Sequence, residues 1–168
     1  TINDGTIHVT SSDDGINVAA GRDGSGTLQP GGMPARPGRG GQGMDAFGGG
    51  SNFLYINGGR IVVNAAGDGL DANGSIVMTG GVVIVNGPTQ SMNGALDHSG
   101  FTMTGGFLVA VGSAGMAQGP GTQSTQPSLL MNLTTTLAAG TLIHIQSSDG
   151  KDVLTFAVAK QVQSVAFS

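Results

Sequence analysis

Apolar and polar residues alternate over short stretches of this chain, and the alternation restarts after each glycine corner. Four segments align on those corners: Ile2-Asn3-Asp4-Gly5-Thr6-Ile7, Ile56-Asn57-Gly58-Gly59-Arg60-Ile61, Met78-Thr79-Gly80-Gly81-Val82-Val83 and Met103-Thr104-Gly105-Gly106-Phe107-Leu108. From Asn57 to Thr79 to Thr104 the repeat is 22 and then 25 residues. A period of this size, with a short strand on either side of a tight corner, is the pattern of a solenoid whose unit is strand. The expected fold is all-β, a right-handed parallel β-helix.

Strand side chains alternate between faces, so the pattern also sorts inside from outside. Before the corner, Leu54 and Ile56 align with Ile76 and Met78 and with Phe101 and Met103; after it, Ile7 and Val9 align with Ile61 and Val63, Val83 and Val85, and Leu108 and Ala110. Stacked coils would make each set one column of the core. The outward position reads Asn3, Asn57, Thr79 and Thr104, a polar ladder. A second outward column, His8, Val62, Ile84 and Val109, is apolar after its first member and needs a cover. The C-terminal segment or a neighbouring subunit would supply it.

The coils are expected over residues 1–112, interrupted at 21–50 by an insertion with twelve glycines, three prolines and Arg22, Arg36 and Arg39. Its composition is that of a surface loop, and a neighbouring subunit is one candidate to hold it. The period fails after Gly112, and residues 113–128 read as a linker. Strand-like runs at Leu129–Leu133, Thr141–Gln146, Val153–Ala159 and Val162–Phe167, with a turn at Ser148-Asp149-Gly150-Lys151, predict a C-terminal antiparallel unit that packs on the helix or caps its end.

Composition narrows the chemistry. There is no Glu, only two Lys, and no Cys, so neither long helices nor a thiolate metal site is expected. A net charge of −4 disfavours nucleic acid and anionic membranes as partners. No apolar run is long enough to span a bilayer. The opening on Thr1 without Met suggests that an upstream segment has been removed or left out.

All ten acidic residues are Asp, a residue suited to turns and to hard-cation ligation. Asp14 and Asp68 lie eight residues after Thr6 and Arg60, each followed by Gly and an aliphatic residue. Two residues beyond those aliphatics' glycines a column reads Asn17, Asp71, Asp97. Carboxylates stacked at about 4.8 Å repel by roughly 3 kcal/mol at an effective dielectric near 20. A calcium ion taking oxygens from Asp14, Asp68, Asp71 and Asp97, with Asn17, Asn73, Asn93 or backbone carbonyls, would relieve that repulsion; the competing expectation is that each Asp hydrogen-bonds its own turn. Catalysis is not expected, because no pair of carboxyls of contrasting environment and no Lys or Arg base beside them is apparent. His98 adjoins Asp97, but as a lone histidine it carries no role.

Ser12-Asp13-Asp14-Gly15-Ile16-Asn17, Gly67-Asp68-Gly69-Leu70-Asp71-Ala72-Asn73-Gly74, Val85-Asn86-Gly87-Pro88 and the closing run from Ile143-His144-Ile145-Gln146 to Phe167-Ser168 together resemble the secreted bacterial carbohydrate-binding β-helix proteins that look like polysaccharide lyases. The resemblance implies a right-handed parallel β-helix, bound calcium, attachment to acidic or cellulosic polysaccharide, and an extracellular or cell-surface location. Asn57, Thr79, Thr104 and Arg60 are the candidate sugar contacts, with aromatic platforms restricted to Tyr55 and phenylalanines mostly assigned to the core.

Two further functions stay open. A first coil without a cap would present open strand edges, so the chain could be the subunit of an extracellular filament, with Val62, Ile84, Val109, Arg36 and Arg39 as candidate contacts. A lyase-like enzyme is the remaining alternative.

Overall fold

The computed structural model describes residues 1–18 and 52–168. The insertion expected at 21–50, with Arg22, Arg36 and Arg39, lies outside the described residues. The described chain is all-β, with twelve strands. None of the described residues forms a helix long and apolar enough to cross a membrane.

Eight strands make two parallel stacks. β1 (Thr6–Ser11), β4 (Arg60–Ala65), β6 (Val82–Asn86) and β8 (Phe107–Gly112) pair in that order in one sheet. In the other, β5 (Leu70–Met78) pairs in parallel with β2 (Ile16–Val18), β3 (Phe53–Ile56) and β7 (Leu96–Met103). From β3 to β8 the chain alternates between the sheets, turning at a glycine corner each time it passes from the second to the first.

The two glycines of each corner answer different constraints. The second needs a left-handed backbone: φ is 95° at Gly5, 84° at Gly59, 89° at Gly81 and 102° at Gly106. The first needs space, since a Cβ on Gly80 would lie 2.7 Å from the Asn57 carbonyl oxygen and one on Gly105 2.6 Å from that of Thr79.

The inward columns are those the alternation predicts. Leu54–Ile76–Phe101, Ile56–Met78–Met103, Ile61–Val83–Leu108 and Val63–Val85–Ala110 are in register and buried in one cluster. At the first coil the columns end in Ile2, Ile7, Val9, Ile16 and Val18, which are only half-buried.

At the other end the parallel repeat gives way to the C-terminal strands. β9 (Leu129–Leu137), β10 (Leu142–Gln146), β11 (Asp152–Ala157) and β12 (Val162–Phe167) lie close to the four predicted runs. β10 and β11 form an antiparallel hairpin, whereas β12 inserts antiparallel between β8 and β9 and so extends the first sheet to six strands. On the second sheet, the amides of Gly121 and Thr125 donate to the carbonyls of Phe101 and Met103, so the linker covers the edge of β7.

The C-terminal strands also bury part of the apolar outer column. Val109 and Val111 are wholly enclosed with Ile143, Leu154, Val158, Val162 and Val165. Of the two covers expected for this column, Val109 has the C-terminal segment, which leaves it no surface for the expected contact with another subunit. Val62 and Ile84, in register with it, are half-buried.

Candidate functional site

The aspartate corner is a hydrogen-bonded ladder between coils. Asp14 Oδ1 accepts the Asp68 amide at 2.8 Å, and Asp68 Oδ1 accepts the Gly94 amide at 2.6 Å. Each carboxylate thus holds the residue at its own position in the next coil, where the third coil carries glycine. Asn17 Nδ2 donates to Asp14 Oδ2 at 3.1 Å, and Gln118 Nε2 to Asp97 Oδ1 at 3.4 Å. Asn17, Asp71 and Asp97 are aligned in register as expected, with Asp71 buried.

Burial raises the Asp68 carboxyl to about pH 6 against its amide bond to Gly94, helped by the charges of Asp97, Asp14 and Asp13. Among the described residues no three His, Cys, Asp or Glu side chains are grouped so as to hold a metal ion, and both oxygens of Asp14 and one each of Asp68 and Asp97 accept N–H groups. Asn73 is exposed, and Asn93 contributes its carbonyl to the Ser113 hydroxyl at 2.7 Å.

His98 stands in register with Ala72. Its ring meets Phe101 edge-on at 5.5 Å, and neither ring nitrogen has a hydrogen-bond partner in good geometry. Burial lowers its pKa; the Asp97 charge and nearby backbone of His98 and Gly119 oppose this without reversing it.

The polar ladder forms a second connected feature. Asn57 Nδ2 donates to Asn3 Oδ1 at 2.8 Å, and the Thr79 hydroxyl donates to Asn57 Oδ1 at 3.0 Å. Thr104 follows, exposed like the others. Arg60 lies beyond the corner, in register with Thr6 and Val82 on the other sheet, and is not part of this ladder.

Beside the ladder, Tyr55, the expected aromatic platform, is joined by a second ring expected among the core phenylalanines. Phe53 and Tyr55 project outward from β3, 44% and 39% exposed, with rings stacked at 5.7 Å and 26° between planes. The alternation that sends Leu54 and Ile56 inward sends these two rings out, and that was the available signal. Across the stack, Phe53 aligns with Ser75 and Gly100, and Tyr55 with Val77 and Thr102. With Asn57, Thr79 and Thr104 these residues make a flat face without a carboxylate, ammonium or guanidinium group.

No family model, curated protein or solved structure matches the chain.

Proposed function

We propose that this chain is a non-catalytic, extracellular or cell-surface protein, folded as a right-handed parallel β-helix, that binds neutral polysaccharide on the outward face of its second sheet. The architecture is supported by the alternation of strands between two parallel stacks, the recurrent glycine corners and the continuous inward columns. The hand follows from the strong right-handed preference of parallel crossover connections.

The observation that carries the binding reading is the exposed, stacked Phe53–Tyr55 pair beside a hydrogen-bonded amide and hydroxyl ladder. Aromatic faces receive the apolar C–H faces of pyranose rings, while amides and hydroxyls exchange hydrogen bonds with sugar hydroxyls. The residues around the ring pair carry no charge, and the nearest charges on β5 and β7 are the carboxylates of Asp71 and Asp97; this favours a cellulosic ligand over an acidic one, which would demand Lys, Arg or a bridging cation. No lyase or hydrolase step is assigned: Lys160 Nζ donates to the Ala65 carbonyl at 2.6 Å, and Lys151 pairs with Asp149 at 2.8 Å.

The test is retention on insoluble cellulose compared with polygalacturonate, using the chain and a Phe53→Ala/Tyr55→Ala variant. Retention on cellulose that weakens about tenfold or more in the variant is expected, since hot-spot aromatics contribute 2 kcal/mol or more. Equal binding by both proteins would overturn the reading.

A further inference from the structure

The six-stranded sheet ends in β1 on one side and β9 on the other. β12 runs antiparallel to both β8 and β9, so β9 has the direction of β8 and, through the parallel ladder, that of β1. One inward column crosses the whole sheet: Val9, Val63, Val85, Ala110, Ala166 and Leu130. Its four middle members are at most 2% exposed, whereas Leu130 is 46% exposed and Val9 is half-buried. The same column is therefore unfinished at both ends.

Neither terminal strand is protected by a charged residue or a proline. β1 reads Thr-Ile-His-Val-Thr-Ser and β9 Leu-Leu-Met-Asn-Leu-Thr-Thr-Thr-Leu, with no Lys, Arg, Asp, Glu or Pro. The register of β9 shifts only beyond Asn132, leaving Leu129–Asn132 regular. Among the described residues no strand pairs with the outer side of either.

We propose that copies of this chain join head to tail, β1 of one adding in parallel to the free edge of β9 in the next. The occupant is a second copy because the two edges match in direction and in the apolar column they would complete, Leu130 meeting Val9. The linker on β7 blocks stacking on the other sheet, so the joint runs through one sheet only. Such a contact uses two different surfaces, and each addition leaves one of each free. The product is open-ended.

Two variants separate the edges. Amides of Arg60 and Ala66 donate to the carbonyls of Gly5 and Ser11, so the odd-numbered backbone groups of β1 face β4 while those of Thr6, His8 and Thr10 face outward. His8→Pro removes an outward N–H without breaking the β1–β4 ladder, and Thr10→Pro does the same should His8→Pro not fold. Leu130→Lys places a charge on the β9 side at an exposed position.

The purified full chain is followed by sedimentation velocity over rising concentration, with circular dichroism confirming each fold. The unaltered chain should form a concentration-dependent series of oligomers, each variant alone should be monomeric, and a mixture of the two variants should stop at dimers through the one intact pair of edges. A monomeric unaltered chain, a β1 variant that still polymerises, or a mixture that stays monomeric would each overturn the proposal; the first of these would mean that other parts of the chain cover the edges. Cellulose retention by the monomeric variants reports on the Phe53–Tyr55 face separately, so the two readings can fail independently.

Discussion

The Asp14 carboxylate accepts the backbone N–H of Asp68 across 54 residues of sequence, and Asp68 repeats the contact onto Gly94. A side chain of one coil thereby sets the position of the next coil's corner. Asp14 and Asp68, two of the stacked acids whose spacing suggests a cation site, serve as staples between successive repeats.

Removing the first staple should be costly. Asp14→Ala leaves the half-buried Asp68 amide without the Asp14 acceptor, a loss of about 1–2 kcal/mol. Asp68→Asn keeps an oxygen for the Gly94 amide and removes a partly buried charge, so it should match or exceed the parent stability at pH 7. Urea unfolding midpoints of both variants check the contrast. A destabilised Asp68→Asn would mean that the negative charge itself is required.

That contrast extends to calcium. With Asp14 and Asp68 oxygens bonded to N–H groups, a chelator at neutral pH should leave the thermal midpoint essentially unchanged. A fall of several degrees, about 1 kcal/mol or more for a domain of this size, would restore a cation to the corner.

The pH dependence has two opposing parts. Asp68 has a folded pKa of about 6 against 3.8 in its ordinary state, so the folded chain binds more protons between those values. Its contribution is greatest below about pH 4 and is lost as pH rises through 6. His98 has a lowered folded pKa, so the unfolded chain binds more protons there; its contribution is complete above 6.5 and falls as pH drops below that value. Asp68→Asn should abolish the loss on the alkaline side, and His98→Phe the loss on the acid side. Urea midpoints from pH 4 to 8 read both.

The core columns were legible because a period-two pattern repeated at nearly constant spacing leaves few alternatives for which side chains face inward. Ile61, Val83 and Leu108 needed no structure to be aligned. The insertion of β12 between β8 and β9 was not legible: an antiparallel strand brought back from 50 residues downstream has no periodic relation to the coil it covers. The sequence called for a cover over Val109 and offered the C-terminal segment for it, but not the strand order that supplies it. At the aspartate corner, alignment located the column but not the direction of the neighbouring N–H groups that Asp14 and Asp68 hold. Phe53 was missed although alternation around Leu54 and Ile56 already placed it outside.

The glycine corners give the sharpest test of the stacked arrangement, because equal φ values meet unequal surroundings. Gly5 and Gly81 both adopt left-handed backbone, at 95° and 89°. An Ala Cβ at Gly5 would have nothing within 4 Å, while one at Gly81 would lie 2.8 Å from the carbonyl carbon and oxygen of Gly58 in the preceding coil. Gly5→Ala should therefore cost only the left-handed penalty, about 1–2 kcal/mol. Gly81→Ala adds a backbone clash that no rotamer change relieves, and should cost about 3 kcal/mol or more. Gly5→Asn should recover part of the first loss, since Asn tolerates this region, whereas Gly81→Asn should recover none of the second. Urea midpoints of the four variants provide the comparison, and equal losses at the two sites would mean that the coils are not stacked as closely as Gly81 and Gly58 require.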